Sequence, residues 1–364
     1  MHGFIFTIFL RIDFYNLISI IYLFLLLLVL LFIVIIVFTI YKKKVDVNQK
    51  LWQQSVAVII SQAIFYKNKE DEPVDINYKM EMLLQKPAFR NCAINELVQA
   101  KKNLSGFSTL NLKKLYEILD LNATSFKKIK SVRWHIQAKG IQELGIMEQI
   151  KYVKQIFKLT NDENDFVRNE AQCALVSFYG FEGLRFLNVT AYPISQWQQI
   201  QLLNKLHGVK PDNFDGMKKW MQSANESVII FSLKLATFYN CYDVYDNVID
   251  CLQRSGLPVK LSALEYLKKM PQEDTADKMI SNYFFESKVY KLAIIDALKD
   301  IGNENQITFL LKQLHHKDDD IKAAAAKSLS YLHPSGTAFL QTHLFADEYP
   351  WNAIFLQIKN ERAA

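Results

Sequence analysis

A regular spacing between similar segments is the feature of this sequence that most restricts its fold. Four segments begin with a bulky apolar residue and continue with small and apolar residues at helical intervals. Their first residues follow one another at intervals of 31 positions and are Val228, Val259, Tyr290 and Ile321. A period of about 20–50 residues is typical of repeat proteins, in which each repeat packs on its neighbours. The chain is therefore expected to form stacked units.

Weaker copies of the same unit precede these four. Val167 opens "VRNEAQCAL", and Trp197 opens "WQQIQLLNKL" in a register that is loose by about two residues. Trp134 of "WHIQAKGIQEL" and Phe89 of "FRNCAINELV" begin similar segments after longer spacers. A further degenerate unit is expected around residues 110–121. Its assignment follows from the period rather than from its own letters.

Each unit is predicted to be a pair of helices. In the last unit, the positions 3, 4, 7 and 8 after the opening residue form one helical face, which is Ala324, Ala325, Ser328 and Leu329. A polar and often acidic residue before the opening position, such as Asp165, is expected to cap the helix and complement its dipole. A second helical stretch follows each first helix, as in "CYDVYDNVIDCLQR". Two such helices bury their apolar faces only when they stack on like neighbours.

Composition agrees with a nearly all-helical chain. Only 11 of the 364 residues are glycine, well below the roughly 7% of average proteins, and no alternating run of strand length is present. The four cysteines show no CxxC spacing, which is typical of small buried thiols in a reducing compartment; they are Cys92, Cys173, Cys241 and Cys251. Four tryptophans are expected to serve packing, at positions 134, 197, 220 and 351.

Two segments carry a family resemblance. "NDENDFVRNEAQCAL" and "HKDDDIKAAAAKSL" resemble HEAT repeats of the short HEAT-like kind, in which an acidic loop leads into valine-arginine and an alanine-rich helix. The resemblance covers roughly residues 80–345. It departs from the pattern at Trp197 and Tyr290, where valine is usual, and at Ser227 and Pro258, which replace the acidic lead. It implies a right-handed α-solenoid whose second helices build a concave, non-catalytic binding face.

The N-terminal region predicts a membrane span. Leu17 to Ile40 contains no charged residue, and 24 helical residues rise about 36 Å, against roughly 30 Å for the hydrocarbon core. A cleaved signal peptide is the rival interpretation, but its apolar stretch is normally about 7–15 residues and ends in small residues. Here the run is longer and continues into "FTIYKKK". A permanent transmembrane helix is therefore predicted.

Flanking charges predict the orientation of that helix. Arg11 precedes the run and is partly offset by Asp13, whereas three consecutive lysines and Lys50 follow it. Because cytoplasmic flanks carry the excess of Lys and Arg, the residues after the span are expected in the cytoplasm. The sequence then divides into a short apolar segment (1–16), the transmembrane helix (17–41), a basic juxtamembrane segment with an amphipathic helix and linker (42–80), the repeats (81–345) and a C-terminal capping helix (346–364). Whether residues 3–10 insert into the membrane stays open.

Motifs for catalysis and cofactor binding are missing from the sequence. There is no Gly-rich phosphate loop, GxSxG, HExxH or C2H2 spacing. His315 and His316 are adjacent, and neighbouring residues on a helix diverge by about 100°, which is unsuitable for a shared metal. We therefore expect no cofactor, no metal and no enzymatic activity.

A basic segment is one candidate interaction surface. Residues 101–140 hold nine basic and two acidic residues, a net charge of +7 in a chain whose total is +6. The segment is predicted to face anionic lipids or an acidic partner, whereas nucleic acid is not expected because no recognition module accompanies the charge. With the lysines after the span, the candidates are Lys42, Lys43, Lys44, Lys101, Lys102, Lys113, Lys114, Lys127, Lys128, Lys130 and Arg133.

An acidic and aromatic strip is the second candidate. Three aspartates recur at i, i+3 and i+7 on one predicted second helix, and two more lie on the next second helix. We predict that they line a concave face that contacts a partner, with ordinary solvated helix faces as the alternative. The residues are Tyr242, Asp243, Asp246, Asn247, Asp250, Asp274 and Asp277.

These features favour a membrane-anchored cytoplasmic scaffold or accessory subunit that binds other proteins in a membrane-associated complex. Two alternatives stay open. Some short HEAT-like proteins resemble lyases that attach or detach bilin chromophores, so a HEAT-like lyase-type enzyme is one alternative. The other is a regulator or sensor at the membrane surface. The sequence does not identify the partner.

Overall fold

A computed structural model describes residues 14–65, 78–104, 106–211, 213–214, 216–254, 256–281, 283–333, 335–343 and 349–363. In these residues all regular structure is helical, either α or 3-10, which confirms the all-α prediction. The predicted apolar segment at residues 3–10 and most of the predicted linker before residue 78 lie outside the described residues. Contacts divide the chain into two compact units, Met1–Lys130 with Ile146–Glu148 and Ser131–Gly145 with Gln149–Ala364.

In its described residues, the first unit contains one very long helix and four shorter ones up to Lys130. They are α1 (Phe14–Phe65), α2 (Tyr78–Leu84), α3 (Pro87–Asn103), α4 (Phe107–Ile118) and α5 (Leu121–Ile129). α3 packs against α1, α2, α4 and α5, and α4 also packs against α1. The core of the unit is therefore made by α1, α3 and α4.

Helix α1 has two halves with different surroundings. Residues 19–51 are all exposed, including the entire uncharged apolar run from residue 19 onward. From residue 52 one face of the same helix is buried, with Val56, Ile59, Ile60 and Ala63 inside the unit. These residues recur at helical intervals of three and four, so a single stripe of α1 meets α3 and α4. One continuous helix thus carries both an unburied apolar run and a packed face.

The second unit contains the repeats assigned from Trp134 onward, whereas Phe89 and residues 110–121 of the assigned repeats lie in the first unit. Its α-helices are α6 (Trp134–Ile146), α7 (Val153–Lys158), α8 (Asp165–Tyr179), α9 (Gln196–Leu206), α10 (Met217–Met221), α11 (Glu226–Phe238), α12 (Tyr245–Cys251), α13 (Leu257–Lys269), α14 (Thr275–Ile280), α15 (Lys288–Ile301), α16 (Ile307–Gln313), α17 (Asp319–Leu332), α18 (Gly336–His343) and α19 (Trp351–Ala363). The successive helices α11, α13, α15 and α17 pack each on the next. Short helices α12, α14 and α16 lie between them in the sequence.

The period appears directly in the helix boundaries. α11, α13, α15 and α17 begin exactly one sequence period apart, and the opening residue assigned from the sequence is the third residue of each helix. All four opening residues are buried. Val167 is likewise the buried third residue of α8. The third position points into the stack, which is why a bulky side chain recurs there.

The repeat at α9 departs from the apolar pattern at this position. Trp197 is the second residue of α9 and is exposed, whereas Gln198 is third and buried. Gln198 lies one full period after Val167. Its buried amide is satisfied because its Oε1 accepts from the backbone N–H of Ser195 at 2.8 Å, while Ser195 caps the same helix. A glutamine in the buried slot explains the loose register of the apolar alignment.

Helix caps precede the opening residues by three positions. Asn164 accepts from the backbone N–H groups of Phe166 and Val167, and Asp318 accepts from that of Asp320. Asp165 therefore lies in the first turn of α8 rather than at its cap. Its carboxylate still complements the positive end of the helix dipole there. The expectation that residues such as Asp165, Asp319 and Asp320 are the caps is therefore wrong by one or two positions.

The segment between α8 and α9 replaces a second helix with 3-10 structure. Gly180–Val189 forms a long 3-10 helix that packs closely on α8. A Cβ atom on Gly183 would clash with the backbone carbonyl of Leu175. Only glycine permits this approach, so the sequence enforces an irregular repeat at this point.

Candidate interaction surfaces

The basic candidates are spread over α1, the short helices of the first unit and the start of the second unit. On α1, Lys42, Lys43 and Lys44 are exposed directly after the apolar run. Most of the others are exposed or half-buried on α3, α4 and α5 or directly after α5, namely Lys102, Lys113, Lys114, Lys127, Lys128 and Lys130. Arg133 is exposed just before α6 and belongs to the second unit.

Lys101 differs from the rest of the basic group. Its side chain is only 8% exposed, and its Nζ lies 2.9 Å from Oε1 of Glu148 within the first unit. Lys101 would have to break this partly buried ion pair before it could bind a lipid headgroup, which is energetically costly. Lys130 in turn lies over the ring of Phe126, 4.7 Å from its centroid. The exposed lysines of α1 are therefore the most accessible part of the group.

The acidic candidates lie on consecutive short helices. Tyr242 and Asp243 are exposed in the 3-10 turn that leads into α12, and Asp246 and Asp250 are exposed on α12 itself. Asn247 on the same helix is half-buried. Among the described residues, no lysine or arginine forms an ion pair with the three aspartates. Within the described residues, these three carboxylates are therefore exposed and free of ion pairs.

Direct side-chain contacts join α12 to α14. The hydroxyls of Tyr245 and Thr275 lie 2.6 Å apart and form a buried hydrogen bond. Lys278 lies over the ring of Tyr245, 5.2 Å from its centroid, and pairs with Asp274 at 2.8 Å. The hydrogen bond to Asp274 raises the pKa of Lys278. These contacts bring Asp274 beside the α12 aspartates, so the two halves of the predicted strip do form one surface.

Asp277 extends this surface to the following repeat. Its Oδ1 accepts a hydrogen bond of 2.8 Å from Nε2 of Gln306, a buried side chain just before α16. The acidic surface therefore reaches from α12 through α14 to the residue before α16.

A row of ion pairs between first helices was not predicted from the sequence. Lys260 on α13 pairs with Glu286 before α15 at 2.5 Å, and Lys288 on α15 pairs with Asp318 at 2.6 Å. Lys268 lies 3.3 Å from Asp296 on the next first helix. The two partners of each pair lie slightly less than one period apart in the sequence. Opposite charges at nearly the repeat spacing were the available signal.

The charges of this row shift its titration. Burial alone would raise the pKa of Asp296, but hydrogen bonds and charges from Lys299 and Lys268 lower it. The hydrogen bond from Lys288 lowers the pKa of Asp318. Both carboxylates are therefore ionised at neutral pH and hold neighbouring repeats together.

The four tryptophans predicted to serve packing differ in exposure, and Trp351 on α19 is half-buried. Trp220 is buried, and its Nε1 donates to Oδ1 of Asn188 at 3.1 Å, which confirms its packing role. Trp134 is 46% exposed and Trp197 is 65% exposed, so the expectation of simple packing is wrong for Trp197. The apolar alignment is one residue out of register at α9. The exposed pair marks a surface that the sequence pattern did not indicate.

Nucleophilic or metal-binding chemistry finds little support in these side chains. All four cysteines are free and buried. Burial raises the pKa of the Cys173 thiol to about 12 and that of Cys251 to about 11, so both stay protonated at neutral pH. No group of three or more His, Cys, Asp or Glu side chains in the described part of the chain is arranged to hold a metal ion.

Within the described residues, α1 is the one helix long and apolar enough to cross a membrane, over Ile18–Ile64, and none of its most apolar window is buried. Length and composition are met equally by a membrane anchor and by a signal sequence near the N-terminus.

Comparisons with known proteins give little further guidance. No protein-family model matches this sequence. No curated protein matches it significantly. A solved structure of human deoxyhypusine hydroxylase in complex with glycerol matches with 12% sequence identity over 86% of this chain and 98% of that chain, at a TM-score of 0.28. An overlap of that quality carries no argument about fold or function.

Proposed function

We propose that this protein is a membrane-anchored cytoplasmic scaffold or accessory subunit that binds other proteins in a membrane-associated complex. The repeats are inferred to be HEAT-like helix pairs in a right-handed α-solenoid. Support for the repeat assignment comes from first helices that begin one sequence period apart and pack each on the next. Stacked helix pairs offer long surfaces for partner binding and few enclosed pockets.

The observation that carries the proposal is the continuity of α1. A signal sequence is removed, and its loss would leave the packed half of α1 as a new N-terminus. Here the helix runs without interruption from the apolar residues into the buried face at Val56, Ile59 and Ile60. Three exposed lysines follow the apolar run, as expected for a cytoplasmic flank. Retention of the whole helix is therefore favoured.

Topology is tested by protease protection on membrane vesicles of known orientation. The repeats should be digested when protease is added to the cytoplasmic face and protected when it is added to the opposite face. Expression in a glycosylating host gives an independent reading, because the chain has N-x-S/T triplets at Asn103, Asn122, Asn188 and Asn225. Sugar at any of these positions would place the repeats in the lumen and contradict the cytoplasmic assignment.

Partner binding is tested by affinity purification of the full chain from its native membranes, with quantitative mass spectrometry. The amount of stoichiometric partner recovered with the triple variant D243N/D246N/D250N should fall at least tenfold, because the variant removes three exposed charges from the α12 surface. The matched control is D46N/E81Q/E265Q, which removes three exposed charges elsewhere and should retain the partner. Recovery of no stoichiometric partner by the unmodified chain would contradict the scaffold role.

A further inference from the structure

The strongest unassigned surface lies at the N-terminal ends of α6, α8, α9 and α11, here called the lead edge. Three large aromatic side chains are exposed there: Trp134 by 46%, Phe166 by 58% and Trp197 by 65%. They are the first or second residues of α6, α8 and α9. The rings of Trp134 and Phe166 stack at a centroid distance of 5.0 Å and an angle of 22°. Exposed aromatic residues grouped in this way are typical of protein interfaces.

Hydrogen bonds between repeats hold the lead edge in a fixed shape. Asn161 before α8 accepts from the backbone N–H of Ala191 at 3.0 Å, and Asn225 at the cap of α11 donates to the carbonyl of Tyr192 at 3.0 Å. The guanidinium of Arg168 lies 4.3 Å from the centroid of the Tyr192 ring. The loop before α9 is thus tied to the helices on both sides. A rigid surface loses little conformational entropy when it binds a partner.

A groove continues the lead edge beyond α9. Its volume is about 680 Å³, and its lining is mostly apolar, with Ala191, Pro193, Ala224, Ile230 and Pro258 among its residues. Pro258 is the second residue of α13, the position that Phe166 and Trp197 occupy in α8 and α9. The second helical position therefore carries exposed aromatic rings at α8 and α9 and lines the apolar groove at α13.

Acidic residues border this apolar line. Glu163 and Asp165 lie beside Phe166, and Glu226 lies in the first turn of α11 beside the groove. All three are exposed or half-buried, and no lysine or arginine of the described chain forms an ion pair with them. Arg133 is an exposed basic residue at the far end, beside Trp134. Arg168 is also basic but buried, so the exposed charges along the rest of this border are the three carboxylates, which attract positive charge.

We propose that the lead edge binds a basic amphipathic helix of a partner protein. Packed helices are typically about 8–10 Å apart, so equivalent positions on neighbouring first helices recur at about that distance. Residues seven apart on a helix are separated by roughly 10.5 Å. A bound helix with an apolar residue at every seventh position would therefore place one apolar side chain against each repeat. Lysines and arginines along its sides meet Glu163, Asp165 and Glu226.

This proposal rests on the scaffold role and adds to it a second surface and a class of ligand. The two fail separately. Loss of partner recovery in the α12 variant tests the scaffold role at the acidic strip, whereas the lead edge is tested by direct binding of a defined helix. The control residue Phe285 lies on neither the lead edge nor its groove.

The binding experiment uses the full chain in zwitterionic nanodiscs and a fluorescein-labelled 21-residue model helix. Its apolar face carries leucine at seven-residue and four-residue intervals, and its other positions are lysine, glutamine and alanine. Fluorescence anisotropy is measured against empty nanodiscs as the baseline. The basic helix should bind saturably, and W197A should weaken it at least tenfold, as expected for a central aromatic contact. F285A, which also removes an exposed ring, should leave its Kd unchanged.

A charge-reversed helix with glutamate in place of lysine tests the border. It should bind at least tenfold more weakly than the basic helix, and D165N/E226Q should narrow that difference. Equal loss of binding in W197A and F285A, or equal affinity for the two helices, would overturn the proposal. So would tryptophan quenching by brominated lipids that is present in the unmodified chain and smaller in W197A, which would assign the edge to the membrane. A fall in oligomeric mass for W197A would assign it to a second copy of the chain and overturn it as well.

Discussion

The apolar run of α1 and the first helices of the repeats are built from the same residue types in opposite surroundings. In α1, leucine, isoleucine, valine and phenylalanine occupy every side of the helix, and all are exposed from residue 20 to residue 38. In α11, α13, α15 and α17, apolar side chains lie on one face and are buried against the next repeat. A helix that is apolar on every side is stable only in apolar surroundings. A helix that is apolar on one side buries that side against the neighbouring helices.

This difference shows that hydrophobicity alone does not determine burial. The repeats alternate apolar with charged positions, so each helix has an inner and an outer side. The run in α1 has no such sides, and none of it is buried within the described chain. Four changes test the contrast, ordered from the largest expected effect to the smallest.

Deletion of residues 17–41 is expected to abolish membrane association completely. It removes the uncharged run, whereas the packed face of α1 begins at residue 52 and stays in place. Sucrose-gradient flotation measures the effect and separates membranes from aggregates. The shortened chain should remain at the bottom of the gradient and still melt cooperatively. Continued flotation would mean that another part of the chain holds the membrane.

Leu298→Ala is expected to lower the free energy of unfolding by about 2–5 kcal/mol. Leu298 is fully buried on α15, so the change leaves a cavity in the stack. The matched control is Leu28→Ala on α1, which should change it by less than about 0.5 kcal/mol because Leu28 is exposed. Urea unfolding followed by circular dichroism measures both. Similar losses in the two variants would remove the contrast.

Ser328→Ala is expected to lower the free energy of unfolding by about 1 kcal/mol. The buried hydroxyl of Ser328 on α17 donates to the carbonyl of Ile295 on α15 at 2.7 Å, a bond between repeats. Ser262→Ala removes a bond to Pro258 within one helix and should have a smaller effect. The same unfolding assay compares them. A larger effect of Ser262→Ala would contradict a role for the bond between repeats.

Acid should weaken the repeats without releasing the apolar run. The hydrogen bond from Lys288 lowers the pKa of Asp318, so the charged carboxylate stabilises the fold above its unfolded pKa of about 3.9. That contribution is lost as the pH falls below about 4, through the folded pKa. Asp318→Asn keeps a helix cap but removes the ion pair, so the difference in Tm between pH 7 and pH 3 should shrink. An unchanged difference would exclude this pair as a source of acid sensitivity.

The flotation behaviour serves as the control for that experiment. Residues 17–40 contain no Asp, Glu, Lys or Arg, so membrane association of the unmodified chain should be the same at both pH values.

The repeat period was accessible from sequence because burial at one position dictates a bulky side chain at a fixed interval. It located the third residue of α11, α13, α15 and α17. It failed at α9 because Gln198 is buried through satisfied hydrogen bonds, and hydrophobicity does not record those. The 3-10 helix after α8 also escaped it, since Gly183 acts through a close backbone contact.

The candidate surfaces were less accessible than the helices. The acidic strip was identified as a group because its spacing is helical, but its junction through Tyr245 and Thr275 depends on a contact across two repeats. The lead edge was missed since an exposed Trp197 and a buried one look alike in a sequence. The two cases differ only in helix register, because Trp197 is the second residue of α9 and not the buried third residue.

The long helix α1 has no joint between its apolar run and its packed face. About ten exposed residues separate the end of the run from Trp52, a rise of roughly 15 Å. In the anchored chain proposed here, these residues form a rigid helical connection between the membrane and the first unit. If lipids or a neighbouring transmembrane helix tilt or rotate the membrane end of α1, then α3 and α4 turn by the same angle because they pack on that helix. In such a chain, α1 would set the orientation of the first unit as well as its attachment to the bilayer.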